Sequence, residues 1–258
     1  MDLAVTRGDG IFETAGIVDG RVQALDAHLT RFIRSARIMD LPEPDRQVWT
    51  EGIRAAVAAH EPGHELLVKF ILTRGVEGTG IPTAWAYVTE AEDFTAVRTH
   101  GISVVTLSRG YRHDVAEHFP WLLQGAKTLS YAVNKAMLRE AARRGADDVI
   151  MTSIDGYVLE GPSSTVVLQL GDRILTPRTD QGILAGTTQG SAFEFFEQQG
   201  LPVSYDLVPL ERLAEADHLW LLSSSRLAAP VNAIDGSPKF VNTELSARLN
   251  DALLARQS

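Results

Sequence analysis

Apolar positions along the chain change period several times, and each change marks an element. In GIFETAGIVDGRVQAL, residues 10–25, two apolar runs meet at Asp19-Gly20, a dipeptide that tolerates the positive φ of a tight hairpin turn. In DAHLTRFIRSARIMDL, Leu29, Phe32, Ile33, Ala36 and Met39 recur near helical spacing, and Asp26 is placed to cap the start. A second helix is expected from Arg46 to Ala59, stopped by Glu61-Pro62-Gly63. ELLVKFILTRG, AWAYVTE and ISVVTLS read as strands.

The second half parses similarly. From Thr128 the positions Leu129, Ala132, Val133, Ala136, Met137 and Ala141 form a helix face that Gly145 ends. DDVIMTSIDGYVLEG is a hairpin turning at Asp155-Gly156, and TVVLQLGDRILTP is another around Gly171-Asp172. A helix follows from near Thr187 to Gly200, and DHLWLLSSS is a strand running into a hydroxyl-rich loop. Hairpins mixed with helices, without a regular strand-helix-strand rhythm, predict an α+β protein. The irregular, charged stretch 109–124 is the expected interdomain connection, dividing a smaller α+β domain (1–108) from a larger one (125–258).

Composition narrows the function classes. The 258 residues carry 24 basic and 33 acidic side chains, a net charge of −9, interspersed along the chain. That disfavours nucleic acid as a partner, because such binding needs a basic surface. With no cysteine there is no disulfide, thiol nucleophile or thiolate metal site. His60 and His64 flank Pro62 and Gly63 and so share no helix face as metal ligands would, and no metal is expected. RGVEGTG lacks the lysine and hydroxyl residue of a phosphate-binding P-loop and reads as a flexible border of the site. No apolar run approaches the roughly 18 residues of a membrane span and no leader pattern opens the chain, so a cytoplasmic protein is expected.

Four features carry candidate chemistry. Lys127 lies among small residues before an apolar helix pattern. A solvated lysine is the ordinary reading; one held near a core tends to a lowered pKa, which an imine-forming amine requires. Glu160 ends the strand YVLE and is, alone, an edge carboxylate. The glycine and two threonines of LAGTTQ offer backbone N–H groups at a helix start, either an ordinary N-cap or an anion site. Ser223 to Ser225 read as a polar loop or as hydroxyl donors.

Their order is more specific. RGDGIFET, HLTRFIRSA, AKTLSYA, GYVLEGPSST, ILTP, ILAGTTQ and LLSSS together resemble, over nearly the whole chain, the class IV (fold type IV) pyridoxal-phosphate enzymes. These include branched-chain and D-amino acid aminotransferases and 4-amino-4-deoxychorismate lyase. The resemblance implies a two-domain fold with pyridoxal 5'-phosphate as cofactor, usually as a homodimer. Lys127 matches the lysine that holds the cofactor as an internal aldimine and moves the substrate Cα proton. Glu160 matches the carboxylate facing the pyridine nitrogen, Arg31 the phosphate-binding arginine, and Thr187, Thr188 and Ser224 further phosphate donors. Leu184 matches an apolar residue against the ring. Relatives usually carry an extra strand pair before RGDG, often have asparagine where Thr165 stands, and often arginine where Gln189 stands.

Two reactions share the removal of that proton to give a quinonoid. TRGVEGTGIPT has no Arg-x-His pair of the D-amino acid branch, and SSSRLAA differs from the GTAAE loop of branched-chain enzymes. GAKTLSYA with LEGPSSTVV resembles actinobacterial aminodeoxychorismate lyases, so the expectation is a lyase releasing pyruvate and 4-aminobenzoate, a folate precursor. An aminotransferase acting on branched-chain or D-amino acids is the alternative, and a non-catalytic relic of the fold a lesser one. The amino substrate of the lyase is anionic; Arg109 is the expected carboxylate clamp, Arg112 its alternative, a surface salt bridge the bland reading of either, and Phe12 is assigned to the substrate side.

Overall fold

The computed structural model describes residues 1–256. The chain folds into two compact units: Met1–Glu92 with Ala126–Tyr131 and Arg256, and 93–125 with 132–255. This division differs from one at 109–124. The segment expected to end the first domain, including ISVVTLS, lies in the second unit, and the six residues around Lys127 return to the first.

The first unit is an antiparallel sheet, β2-β1-β3-β4, of β1 (Gly10–Val18), β2 (Arg21–Val22), β3 (Glu65–Thr73) and β4 (Thr83–Glu90). The expected hairpin turn has both central residues at positive φ, Asp19 at 49° and Gly20 at 76°, the primed geometry that matches strand twist. Helices α1 (Leu3–Arg7), α2 (Leu25–Ile38) and α3 (Arg46–Ala58) complete the unit. Asp26 is not the cap of α2. Ala24 stands at the N-cap in the left-handed region, φ 50°, and Asp26 lies in the first turn, where its charge still complements the helix dipole. On α2, Leu29, Phe32 and Ala36 are buried, with Phe32 edge-on to Phe70 of β3 at 5.1 Å and to Trp49 of α3 at 4.8 Å.

The second unit holds an eight-stranded mixed sheet ordered β6-β5-β11-β10-β7-β8-β9, with β12 beside β11. Its strands are β5 (Ile102–Ser108), β6 (Asp148–Thr152), β7 (Thr165–Leu170), β8 (Arg173–Pro177), β9 (Val203–Asp206), β10 (His218–Ser223), β11 (Leu227–Ile234) and β12 (Ser237–Pro238). Three neighbouring pairs, β11–β5, β5–β6 and β8–β9, are parallel. Val166, Leu168, Leu219 and Leu221 pack in one cluster, and Val167, Trp220 and Leu222 in another. Alternate residues of a strand face opposite ways, so both faces of the central strands are covered, which explains the unbroken apolar runs TVVL and LWLL. The helices are α4 (Thr95–His100), α5 (Val115–His118), α6 (Ala132–Arg143), α7 (Thr187–Gln198), α8 (Arg212–Glu215) and α9 (Thr243–Ala255). Among the described residues no helix is long and apolar enough to cross a membrane.

Candidate active site

The candidate residues fall into sets on the two units. In the first, Lys127 is not at a helix start: α6 begins at Ala132, and before it Thr128 forms an antiparallel bridge to Ile11 of β1. The Phe12 N–H donates to the Lys127 carbonyl at 3.0 Å, the Leu129 N–H to Gly10 at 2.8 Å, and the Lys127 N–H to Ser35 Oγ on α2 at 3.1 Å. These bonds satisfy the backbone that a helix would otherwise have used. The ammonium sits over the Phe12 ring, 4.7 Å from its centroid, and Lys69 Nζ lies 5.5 Å from the same ring, both cation–π contacts. Tyr131 packs edge-on against Phe12 at 5.5 Å. Sequence reasoning does not single out Tyr131, because its segment reads as helix; in the fold it precedes α6, and its ring lies against Phe12.

One residue along β1 the chemistry changes. Glu13 and His28 have no exposed surface. Glu13 Oε1 accepts from Arg31 Nε at 2.7 Å, and Oε2 from Arg31 Nη2 at 2.6 Å and His28 Nδ1 at 2.7 Å. Burial by itself would raise the Glu13 pKa, but the Arg31 charge and the bonds from Arg31 and His28 prevail and hold it at about 2. His28 is lowered from its ordinary value, first by burial and then by nearby cationic charge, against the pull of Glu13. Arg31 thus presents a guanidinium already fixed by a side-on fork. The sequence does carry a signal for Glu13: it occupies the buried phase of the strand, with Ile11, Ala15 and Ile17.

In the second unit Glu160 lies on the return arm of the expected Asp155-Gly156 hairpin, its carbonyl accepting from Met151 of β6 at 2.8 Å. Its Oε2 accepts from the Leu184 N–H at 3.0 Å, and its Oε1 is 3.5 Å from Arg109 Nη1. Arg109 also donates to the Gly182 carbonyl at 3.3 Å. The expected clamp for a substrate carboxylate is therefore directed at Glu160, an acid of the protein itself. Arg112 pairs with Asp114 at 3.1 Å and lies 3.6 Å from Asp155, which is the bland reading of that residue.

The hydroxyls of Thr187 and Thr188 lie 3.3 and 3.4 Å from Ser224 Oγ. Helix α7 starts at Thr187 behind Gly186, which has no side chain to cap the first-turn N–H groups. A Cβ at Gly186 would meet Thr165 Oγ1 at 2.3 Å, so the turn leaves no room for a side chain there. The loop bearing Ser224 is fastened by Arg226 to the buried Asp148 at 2.6 Å and by Arg98 to the Arg226 and Ser225 carbonyls at 3.1 and 3.3 Å. Gln189 is buried and accepts from the Tyr205 hydroxyl at 3.1 Å. Hydroxyls and helix-start N–H groups suit a phosphate, a carboxylate suits a protonated pyridine nitrogen, and a primary amine suits an aldehyde, so the donor set fits pyridoxal 5'-phosphate.

The sequence pattern of the family Amino-transferase class IV matches residues 10–234, and the chain belongs to that family. It is a pyridoxal-phosphate-dependent enzyme of fold type IV. A bifunctional aminodeoxychorismate lyase / D-amino acid transaminase of Mycobacterium tuberculosis is 43% identical over 265 residues, covering 98% of this chain and 92% of that one. The fold IV-transaminase CpuTA1 from Curtobacterium pusillum superposes with a TM-score of 0.98 at 55% identity, covering 99% of this chain and 89% of that one. A hypothetical aminotransferase from Mycobacterium tuberculosis in its PLP-bound form gives 0.92 at 44% identity, covering 98% and 92%.

Proposed function

We propose that the enzyme is a 4-amino-4-deoxychorismate lyase, releasing 4-aminobenzoate and pyruvate, with Lys127 as its proton-transfer residue. The observation that carries this reading is the relative whose name includes that activity, 43% identical over 98% of the chain. A second reading, transfer of an amino group to a keto acid, is favoured by the other half of that name and by the transaminase at 55% identity. Both begin with Lys127 accepting the substrate Cα proton; in the lyase the ring then loses its enolpyruvyl group and becomes aromatic.

Bound pyridoxal phosphate supplies the electron sink for the pair left at Cα. Glu160, fixed by the Leu184 N–H and Arg109, would hold a proton on the pyridine nitrogen. Thr187, Thr188, Ser224 and Arg31 would take the phosphate, Leu184 would lie against the ring, and Phe12, beside the Lys127 amine, would border the substrate. The anionic substrate and the homodimer are part of the same proposal. Trp85 and Tyr87 on β4, 39% and 40% exposed, offer the apolar surface that a second copy would cover.

The test is product analysis. Pyruvate and 4-aminobenzoate formed from 4-amino-4-deoxychorismate without a keto-acid acceptor support the lyase. Amino transfer that requires an acceptor, with no 4-aminobenzoate, establishes the second reading instead.

A further inference from the structure

Behind Arg31, Glu13 and His28 form a fully buried pair to which the proposed reaction assigns no role. A carboxylate with no exposed surface is costly unless its oxygens are filled, and here three N–H donors fill them within 2.7 Å. Two of those donors belong to one edge of the Arg31 guanidinium. With Nε and Nη2 in a side-on fork, the plane of the group is set and Nη1 lies on the edge turned away from Glu13. His28 adds a third bond to the same Oε2 that Nη2 uses, so Glu13 is itself anchored from the previous turn of α2. Because Glu13 cancels the net charge of Arg31 at a distance, what the arginine retains is direction.

We propose that Glu13 is a positioning residue, anchored by His28, that aims Arg31 at the phosphate of the cofactor. The inference rests on the reading that Arg31 meets that phosphate, and it goes further by assigning the aim to a strand carboxylate. Glu13→Gln breaks the arrangement specifically: Oε2 accepts two donors, and an amide placed there turns at least one N–H against another N–H.

The test compares dissociation constants of pyridoxal phosphate and of pyridoxal, which lacks the phosphate, for the apoenzymes, read from absorbance on titration. In Glu13→Gln, affinity for pyridoxal phosphate should fall roughly tenfold to a hundredfold, while that for pyridoxal changes less than about twofold. Inorganic phosphate should raise the melting temperature of the wild-type apoenzyme more than that of the variant. Should Glu13→Gln not fold, Glu13→Asp carries the same comparison, since it keeps the charge but shortens the reach by one methylene. Equal losses for both ligands, or none for pyridoxal phosphate, overturn the proposal. Arg31→Ala separates the two levels. If it leaves the ratio of the affinities unchanged, the phosphate reading falls and takes this inference with it; if it lowers the ratio and neither Glu13 variant does, only the role of Glu13 falls.

Discussion

At position 13 a carboxylate with no exposed surface is held ionised by its neighbours, and the linkage to stability has a definite sign. The unfolded chain protonates this acid near 4.5 and the folded protein near 2, so below 4.5 the unfolded state binds the extra proton. The stabilisation is complete above that value and is lost as pH falls toward 2, on the order of 3 kcal/mol over the whole window. His28 acts in the same direction: lowered from 6.5 and buried, it stabilises while neutral and begins to cost stability below about its unfolded value. Urea unfolding at stepped pH should therefore show a steep acid limb, and Glu13→Gln should flatten its lower part even though the variant is less stable at neutral pH. At Lys127, replacement by alanine should lower turnover by roughly a hundredfold to ten-thousandfold or more, and borohydride treatment should then leave no pyridoxyl group on the peptide that carries position 127. The order of motifs that carries Lys127 and Glu160 was legible in the sequence, and their roles belong to the proposal. The contact between Arg109 and Glu160 was not legible, because Glu160 stands 51 positions later and only the folded hairpin brings the two within 3.5 Å.

Elements with a strong period were read correctly, and those governed by tertiary pairing were not. β1, β3 and β10 follow from their apolar runs, and α7 starts at Thr187 as the glycine-threonine pair suggests. The helix expected from Thr128 begins four residues later, because backbone bonds between Lys127, Leu129 and β1 outweigh the local helical pattern. Helices α1 and α4, five and six residues long, are too short for a periodicity to show. The turn before α7 permits a sharp test. Gly186 has an ordinary φ of −71°, so substitution there strains no backbone, but a Cβ would meet the Thr165 hydroxyl at 2.3 Å and press on Gln189 Cβ at 3.1 Å and Thr165 Cβ at 3.2 Å. Gly186→Ala should cost about 1–3 kcal/mol in urea unfolding, as overpacking does. Adding Thr165→Ala removes the shortest of these contacts and should recover part of that loss, a coupling that a double-mutant cycle measures.

For the molecule as a whole, a ligand that binds only the folded state must stabilise it. At a cofactor concentration one hundred times its dissociation constant the gain should be about 2.7 kcal/mol. Calorimetry of apoenzyme and reconstituted enzyme should show the higher melting temperature for the latter; equal values would mean that the folded protein does not take up the cofactor. Analytical ultracentrifugation should give twice the chain mass of 28.1 kDa, and Trp85→Ser with Tyr87→Ser should shift that species toward the single chain. The two-unit organisation was legible as a count, but the division was not. Nothing in the local composition of residues 126–131 shows that they join the first unit and bridge to a strand more than a hundred positions earlier.

That connectivity sets an order of events during synthesis. When residue 92 leaves the ribosome, β1 to β4 are already available, yet the Phe12 N–H still lacks the Lys127 carbonyl it will bond, and Gly10 lacks Leu129. The nascent sheet thus exposes an open edge until some forty further residues have emerged, at synthesis rates of about 5–20 residues per second a delay of a few seconds. Arrest of translation just before position 126 should leave a protease-sensitive nascent chain that becomes resistant once 131 has cleared the exit tunnel.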